Sequence, residues 1–157
     1  MMRRGYLINS DESMLLEEFY RLPRQWSWGG KAVETGEGYI LGDDCTTFAA
    51  SWVLEVSGVD PAAGLRGTYD TAEEANAIVA RAGGLVALIG GRIEPLGWAR
   101  VSDLHDGDIG IVTAASALDF CVKEIPAIRF GPLWIVMGSR GPMAKAMEWT
   151  GVAWRAR

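Results

Sequence analysis

Residues 42–56 read GDDCTTFAASWVLEV, an acidic pair followed directly by a cysteine, two threonines and a run of apolar residues. The apolar residues recur at helical spacing, so the segment predicts a helix capped by Asp43 or Asp44 with Cys45 in its first turn. A thiol in that position feels the positive end of the helix dipole, which lowers the thiol pKa. Cysteines are also common in protein cores, so the same pattern is compatible with a purely structural Cys45.

Composition limits the classes of protein to which the chain can belong. It has 157 residues, of which 49% are apolar and 22% charged, and this favours one globular domain over residues 1–157. The net charge of −5 and the lack of a basic stripe argue against a nucleic-acid partner. No segment has the length and apolarity of a membrane span. The first residues, MMRRGYLINSDE, have the positive start of a signal peptide but no apolar run of the needed length, so no signal peptide is expected.

The order of periodic segments predicts an α+β fold. Residues 1–25 read as a helix with its lead-in, and residues 43–90 as a helical half that carries Cys45. Between them, a glycine-rich stretch predicts a long loop with at most a short hairpin. Residues 107–157 contain short β-branched and aromatic runs separated by Gly, Pro or Asp, which is typical of an antiparallel sheet. We therefore expect N-terminal helices packed on a C-terminal antiparallel sheet.

Several short motifs, taken in order, resemble those of the NlpC-type cysteine peptidases, which are papain-like cell-wall hydrolases. They are DCTTF at residues 44–48 and GDI at residues 107–109. Further motifs are similar to a small branch of that superfamily found in the tails of bacteriophages and gene transfer agents. These are a W-x-G segment at 26–29, LRGTY at 65–69, GGL at 83–85 and AWR at 153–155.

The resemblance implies a papain-like fold in which Cys45 attacks an amide carbonyl as a thiolate. It also implies a histidine base at the start of the second sheet strand, and peptidoglycan stem peptides as substrates. The chain departs from that pattern, because Asp119 occupies the expected histidine position and Cys121 follows where a small residue is expected. A carboxylate such as Asp119 raises the pKa of a nearby thiol, so it is a poor replacement.

His105 is the only histidine in the chain, and it precedes the first strand of the expected sheet. A strand of about six residues spans roughly 20 Å, so the hairpin places His105 at the opposite end from Cys45. We therefore expect a surface turn residue at His105, with a role as base the less favoured alternative. One histidine and two distant cysteines do not suit a zinc site, and the aspartates near residue 105 lack the spacing of a calcium loop. No cofactor or metal is expected.

Two functions from different classes follow from the resemblance. One is an active cysteine peptidase that cleaves peptidoglycan stem peptides during cell-wall penetration. The other is a degenerate relative with a structural or assembly role in a phage-like tail tip, bound to other tail-tip or hub proteins and located in the virion. Such a protein would be made in the host cytoplasm without a signal peptide. The missing histidine favours the second, and a module that grips a peptide without cutting it is a further alternative.

Overall fold

The computed structural model describes residues 12–115 and 122–157, and within these ranges the chain is a mixed α+β fold. The predicted helix at Cys45 is confirmed, and the helical half expected over residues 43–90 also contains a helix that begins after Thr71. Both end at a glycine with a left-handed backbone, Gly58 with φ of 79° and Gly83 with φ of 95°, a conformation that favours glycine. The helices are α1 Glu12–Arg21, α2 Cys45–Ser57, α3 Ala72–Ala82 and α4 Leu85–Ile93.

The predicted C-terminal antiparallel sheet is also confirmed, and it has six strands in the order β4-β9-β5-β6-β7-β8. Two runs that the sequence separates at Pro126 form one strand, β6. Pro126 fits there because β7 pairs only with the later part of β6, so the missing proline N–H costs no bond to β7. The strands are β4 Trp98–Val101, β5 Ile109–Ala115, β6 Val122–Phe130, β7 Leu133–Gly138, β8 Gly141–Lys145 and β9 Glu148–Ala156.

A second, three-stranded sheet replaces the long loop expected before α2. Its strands are β1 Arg24–Trp26, β2 Val33–Thr35 and β3 Gly38–Asp43. The short hairpin allowed by the sequence is β2 with β3, but β1 pairs with β3 in parallel, Arg24 opposite Leu41. The sequence did not predict this pairing, because three-residue strands are too short to show a period of two. The parallel pair delivers Asp43 and Asp44 to the start of α2.

The main apolar core lies between the helices and one face of the large sheet. Phe48 and Trp52 of α2 are buried in it together with Phe19 of α1 and with Ile128 and Ile135 of the sheet. The Phe19 ring lies 5.2 Å from the Phe48 ring and 5.2 Å from the Trp52 ring, centroid to centroid. This packing fixes α2, and therefore Cys45, against β6 and β7.

No single helix within 12–115 and 122–157 is long and apolar enough to cross a bilayer. In that part of the chain, one bent pair, Ala72–Ala82 with Leu85–Leu96, reaches the necessary length and composition across a bend of 72°.

Candidate functional site

Asp44 caps α2, as the sequence predicts. Its Oδ1 accepts hydrogen bonds of 2.9 Å from the backbone N–H groups of Thr46 and Thr47. In return, the backbone N–H of Asp44 donates to Thr47 Oγ1 at 2.9 Å, which completes a capping box. The first turn of α2 is therefore held from both sides, and Cys45 is its first residue.

The second oxygen of Asp44 is bonded by two segments that are distant in sequence. Asp44 Oδ2 accepts from the backbone N–H of Gly29 at 2.9 Å and from the hydroxyl of Tyr69 at 2.6 Å. Burial and this hydrogen bond raise the pKa of Tyr69. The two segments also contact each other, because the N–H of Gly67 donates to the carbonyl of Gly29 at 2.9 Å.

Asp43 is the centre of a second, buried charge network. It forms an ion pair with Arg24 of β1 and another with Arg66 at 3.1 Å, and it accepts from the hydroxyl of Ser51. Arg66 also forms an ion pair with Asp60, in which its Nε lies 2.7 Å from Asp60 Oδ2. Burial alone would raise the pKa of Asp60, but the hydrogen bonds from Arg66 and a backbone N–H outweigh it and lower that pKa. Sequence reasoning missed this network, although arginine in the LRGTY motif was a possible signal.

The Cys45 thiol is half-buried and packs against the apolar cluster that includes Ile125. Its Sγ lies 3.8 Å from Thr46 Oγ1. Burial and then the negative charge of Asp44 raise the pKa of Cys45, while Lys123 opposes them. The pKa of Cys45 is therefore shifted in the direction opposite to the decrease expected at a helix start, with burial as the largest cause and the charge of Asp44 as the next.

A cavity of about 110 Å³ lies beside Cys45. We call it the Cys45 cleft. Lys123 and Glu124, at the start of β6, are the exposed charged residues on its sheet side. The other side belongs to α3, through residues such as Asn76. Sequence reasoning did not identify Lys123 or Glu124 as site residues, since only the hairpin register brings them to the thiol.

His105 lies far from Cys45. Two residues after His105, the carbonyl of Gly107 accepts a 2.8 Å hydrogen bond from the indole of Trp52, a residue about 10 Å along α2 from Cys45. Gly107 also donates to the carbonyl of Arg129, at the opposite end of β6 from Lys123. The structure thus places the only histidine out of hydrogen-bond reach of the thiol.

The imidazole of His105 has its own partner on the surface. Its Nε2 lies 3.0 Å from Asp103 Oδ2, and both side chains are mostly exposed. Asp119 and Cys121 lie outside the residues that the structure describes. The expectation about Asp119 therefore stays a prediction.

The GDI and AWR motifs meet at the same end of the sheet as His105. Arg155 donates from Nε to Asp108 Oδ1 at 2.9 Å and from a terminal nitrogen to Oδ2 at 2.8 Å. The hydrogen bond to Asp108 is also the main reason why the pKa of Arg155 is raised. This two-point contact joins β9 to the start of β5.

The described residues suggest no metal-binding set. No three His, Cys, Asp or Glu side chains in 12–115 and 122–157 are grouped so that they could hold one ion. The carboxylates nearest Cys45 are instead occupied by hydrogen bonds from the protein itself, as described for Asp43 and Asp44.

Comparison with known proteins gives one match. No curated protein and no solved structure is similar to the chain. Residues 24–156 match the family described as "Domain of unknown function (DUF6950)". That range begins at Arg24, the partner of Asp43, and runs through β9, so it contains the Cys45 cleft and both charge networks. Because the match covers more than half of its length, the chain belongs to the DUF6950 family.

Proposed function

We propose that this protein is a non-catalytic relative of the NlpC-type, papain-like cysteine peptidases and that it has a structural role in a phage-like tail tip. The observation that carries the proposal is the surroundings of Cys45. A buried carboxylate, Asp44, lies next to the thiol in sequence, and the only histidine of the chain lies out of hydrogen-bond reach of that thiol.

Kinship with the peptidase superfamily is supported by how the motifs meet. Asp44 of DCTTF is hydrogen-bonded to Gly29 of the W-x-G segment and to Tyr69 of LRGTY. Leu85 of GGL lines the Cys45 cleft. At the other end of the sheet, the GDI and AWR motifs meet through an ion pair. Each motif in the resemblance therefore has a structural partner or lines the cleft.

The loss of catalysis follows from the chemistry of the thiol. A cysteine nucleophile reacts as the thiolate, which needs a base or a cation to stabilise it. Here burial and Asp44 both disfavour the thiolate, and Lys123 opposes them only in part. Asp44 is also unsuited as a base, because four donors already occupy its two oxygens.

The assembly role is the part of the proposal that depends most on the resemblance. A cleft that is retained without a base can hold a segment of a neighbouring tail-tip or hub protein, or a wall peptide, without cutting it. Lys123 and Glu124 offer both signs of charge to such a segment. The competing function is an active peptidase acting on peptidoglycan, and it is favoured by a cysteine at a helix start beside a cavity.

The two functions are distinguished by incubating the protein with peptidoglycan and with stem peptides, and by following the release of new amino groups. The matched control is Cys45→Ala, and an active NlpC-type peptidase serves as the positive control. We expect the wild type to release no more than Cys45→Ala. Cleavage that depends on Cys45 would reject the non-catalytic role.

The assembly role has a separate test. We expect the full chain to co-purify with tail-tip or hub proteins encoded beside it when they are produced together. Absence of any such complex, with the partners shown to be folded, would contradict that role while leaving the inactivity of the site unaffected.

A further inference from the structure

A second cavity, of about 70 Å³, lies beneath α3, and we call it the apolar cavity. Its walls come from α2, from the loop before α3, and from α4. They are almost wholly apolar and include Ala49, Val53, Leu65 and Ile89. The one charged residue at its edge, Arg92, directs its guanidinium to the carbonyls of Pro61 and Ala63 at 2.9 and 3.3 Å.

The apolar cavity and the Cys45 cleft lie next to each other. Four residues line both of them, namely Thr46, Tyr69, Ala75 and Val79. Thr46 follows Cys45 directly, and Ala75 and Val79 lie on successive turns of α3. The two cavities therefore share part of their walls.

The helix that covers both cavities is only lightly attached. No residue of α3 is buried, and the three that face the apolar cavity, Ala75, Ile78 and Val79, are half-buried. A helix that buries so little apolar surface opens at a low free-energy cost. We therefore expect a ligand to reach the apolar cavity by displacing α3.

Size and chemistry define what the apolar cavity can hold. An apolar cavity of about 150 Å³ stays dry and binds benzene, and a water molecule needs two to four polar partners. The apolar cavity is about half that size. The polar groups of Thr47, Tyr69 and Arg92 in its wall are already hydrogen-bonded within the protein, so an aliphatic group of three or four carbons fits the cavity better than water does. A valine or leucine side chain has that size and shape.

We propose that the apolar cavity receives one valine- or leucine-sized side chain of a peptide segment whose backbone lies in the Cys45 cleft. The inference rests on the proposed function in one respect, since it treats the cleft as holding a peptide. Lys123, Glu124 and Asn76 meet the polar backbone of the segment, and the apolar cavity selects its side chain.

The experiment uses the full chain with ¹³C-labelled isoleucine δ1 methyl groups and two capped tripeptides, N-acetyl-Gly-Leu-Gly-amide and N-acetyl-Gly-Asn-Gly-amide. The isoleucines that line the apolar cavity are Ile78, Ile89, Ile93 and Ile109, and Ile125 lines the cleft. Ile40, in the small sheet, lines neither and is the internal reference. We expect the leucine peptide to shift the four cavity methyls and Ile125 saturably, while the asparagine peptide leaves the cavity methyls unchanged.

Two variants of α3 make the test specific. Ala75→Leu fills the space between the cavities, whereas Ala77→Leu adds the same atoms to an exposed position that lines neither. We expect Ala75→Leu to weaken binding of the leucine peptide at least tenfold and Ala77→Leu to leave it within twofold. The methyl spectrum of each variant reports directly whether it is folded.

The proposal is overturned if no cavity methyl shifts, if both peptides shift them equally, or if Ala75→Leu and Ala77→Leu bind alike. A shift of Ile125 alone would reject the side-chain pocket but leave the cleft as a peptide-holding site. Cleavage of a stem peptide would instead reject the non-catalytic function, and it would leave the assignment of the apolar cavity to be judged by the methyl shifts alone.

Discussion

The hydroxyl of Tyr69 donates a 2.6 Å hydrogen bond to the carboxylate of Asp44, the residue that caps the cysteine helix. Through this contact the loop after α2 returns to the start of the same helix and closes over it. Asp44 lies 1% exposed and Tyr69 8% exposed, so water cannot replace either partner without a local rearrangement. The arrangement joins cap, loop and thiol in one unit, and it makes Asp44 a structural carboxylate.

Tyr69→Phe removes this hydrogen bond and little else. A hydrogen bond to a charged group contributes about 1.5–3 kcal/mol, so we expect the free energy of unfolding to fall by that amount. Urea denaturation at pH 7 measures it. Tyr39→Phe is the matched control, because Tyr39 is 75% exposed, and it is expected to change stability by less than about 0.5 kcal/mol. Equal effects of the two substitutions would contradict the importance of the Tyr69 contact.

Gly29→Ala tests the close approach of the W-x-G segment to the LRGTY loop. A Cβ at Gly29 would lie 2.6 Å from the carbonyl oxygen of Tyr69, and φ at Gly29 is +73°. Gly64→Ala is the control, because φ there is +85° but no atom lies within 4 Å of the added Cβ. Both substitutions place an alanine in a left-handed backbone conformation, which lowers the free energy of unfolding by about 1–2 kcal/mol. Gly29→Ala adds a clash with the backbone carbonyl of Tyr69.

We expect Gly29→Ala to lower the free energy of unfolding by at least about 2 kcal/mol more than Gly64→Ala, as measured by thermal and urea unfolding. Gly29→Ala is also expected to loosen the cap, so that Cys45 becomes more accessible to alkylating reagents. If the two alanines cost the same, the contact between the two motifs is not tight.

Lys123→Gln tests the electrostatics of the thiol without disturbing the core, because Lys123 is exposed. Lys123 lowers the pKa of Cys45, so its removal should raise that pKa further. In a Cys121→Ser background, we expect Cys45 to react with iodoacetamide more slowly at pH 8 in Lys123→Gln than in the parent. Lys145→Gln, an exposed position on β8, serves as control and should leave the rate unchanged. Faster alkylation of Lys123→Gln would show that Lys123 does not lower the pKa of Cys45.

The pH dependence of stability gives an independent measure of the same site. The pKa of Cys45 is raised in the folded chain by burial and by the charge of Asp44, so folding favours the neutral thiol. Its contribution to stability is fully present below about pH 8.5, the pKa of an unfolded cysteine, and is lost as the pH rises through the folded pKa. We therefore expect the parent to lose stability relative to Cys45→Ala as the pH rises from 8 to 10.

That experiment also uses the Cys121→Ser background, and it follows urea midpoints at several pH values. Tyr69 titrates in the same direction at higher pH, so Tyr69→Phe should reduce the loss of stability above pH 10. A difference between parent and Cys45→Ala that is constant from pH 7 to 10 would show that the thiol pKa is not raised.

Local patterns in the sequence predicted the elements that depend on near neighbours. The cap by Asp44, the helix at Cys45 and the C-terminal strands all follow from periodicity and from side-chain chemistry within a few residues. Asp44 and Cys45 were also identified as the central pair from sequence. The position of His105 far from the thiol followed from the geometry of a hairpin.

Tertiary structure decided what long-range contacts control. No local pattern could show that Arg24 would pair with Asp43, that β1 would pair in parallel with β3, or that Lys123 would reach Cys45. The direction in which the pKa of Cys45 shifts also depends on these long-range contacts, because the whole fold determines how deeply a group is buried and which charges surround it. A helix start, in contrast, is determined by its own few residues. The apolar cavity beneath α3 exists for the same reason, since it lies between elements that only the folded chain brings together.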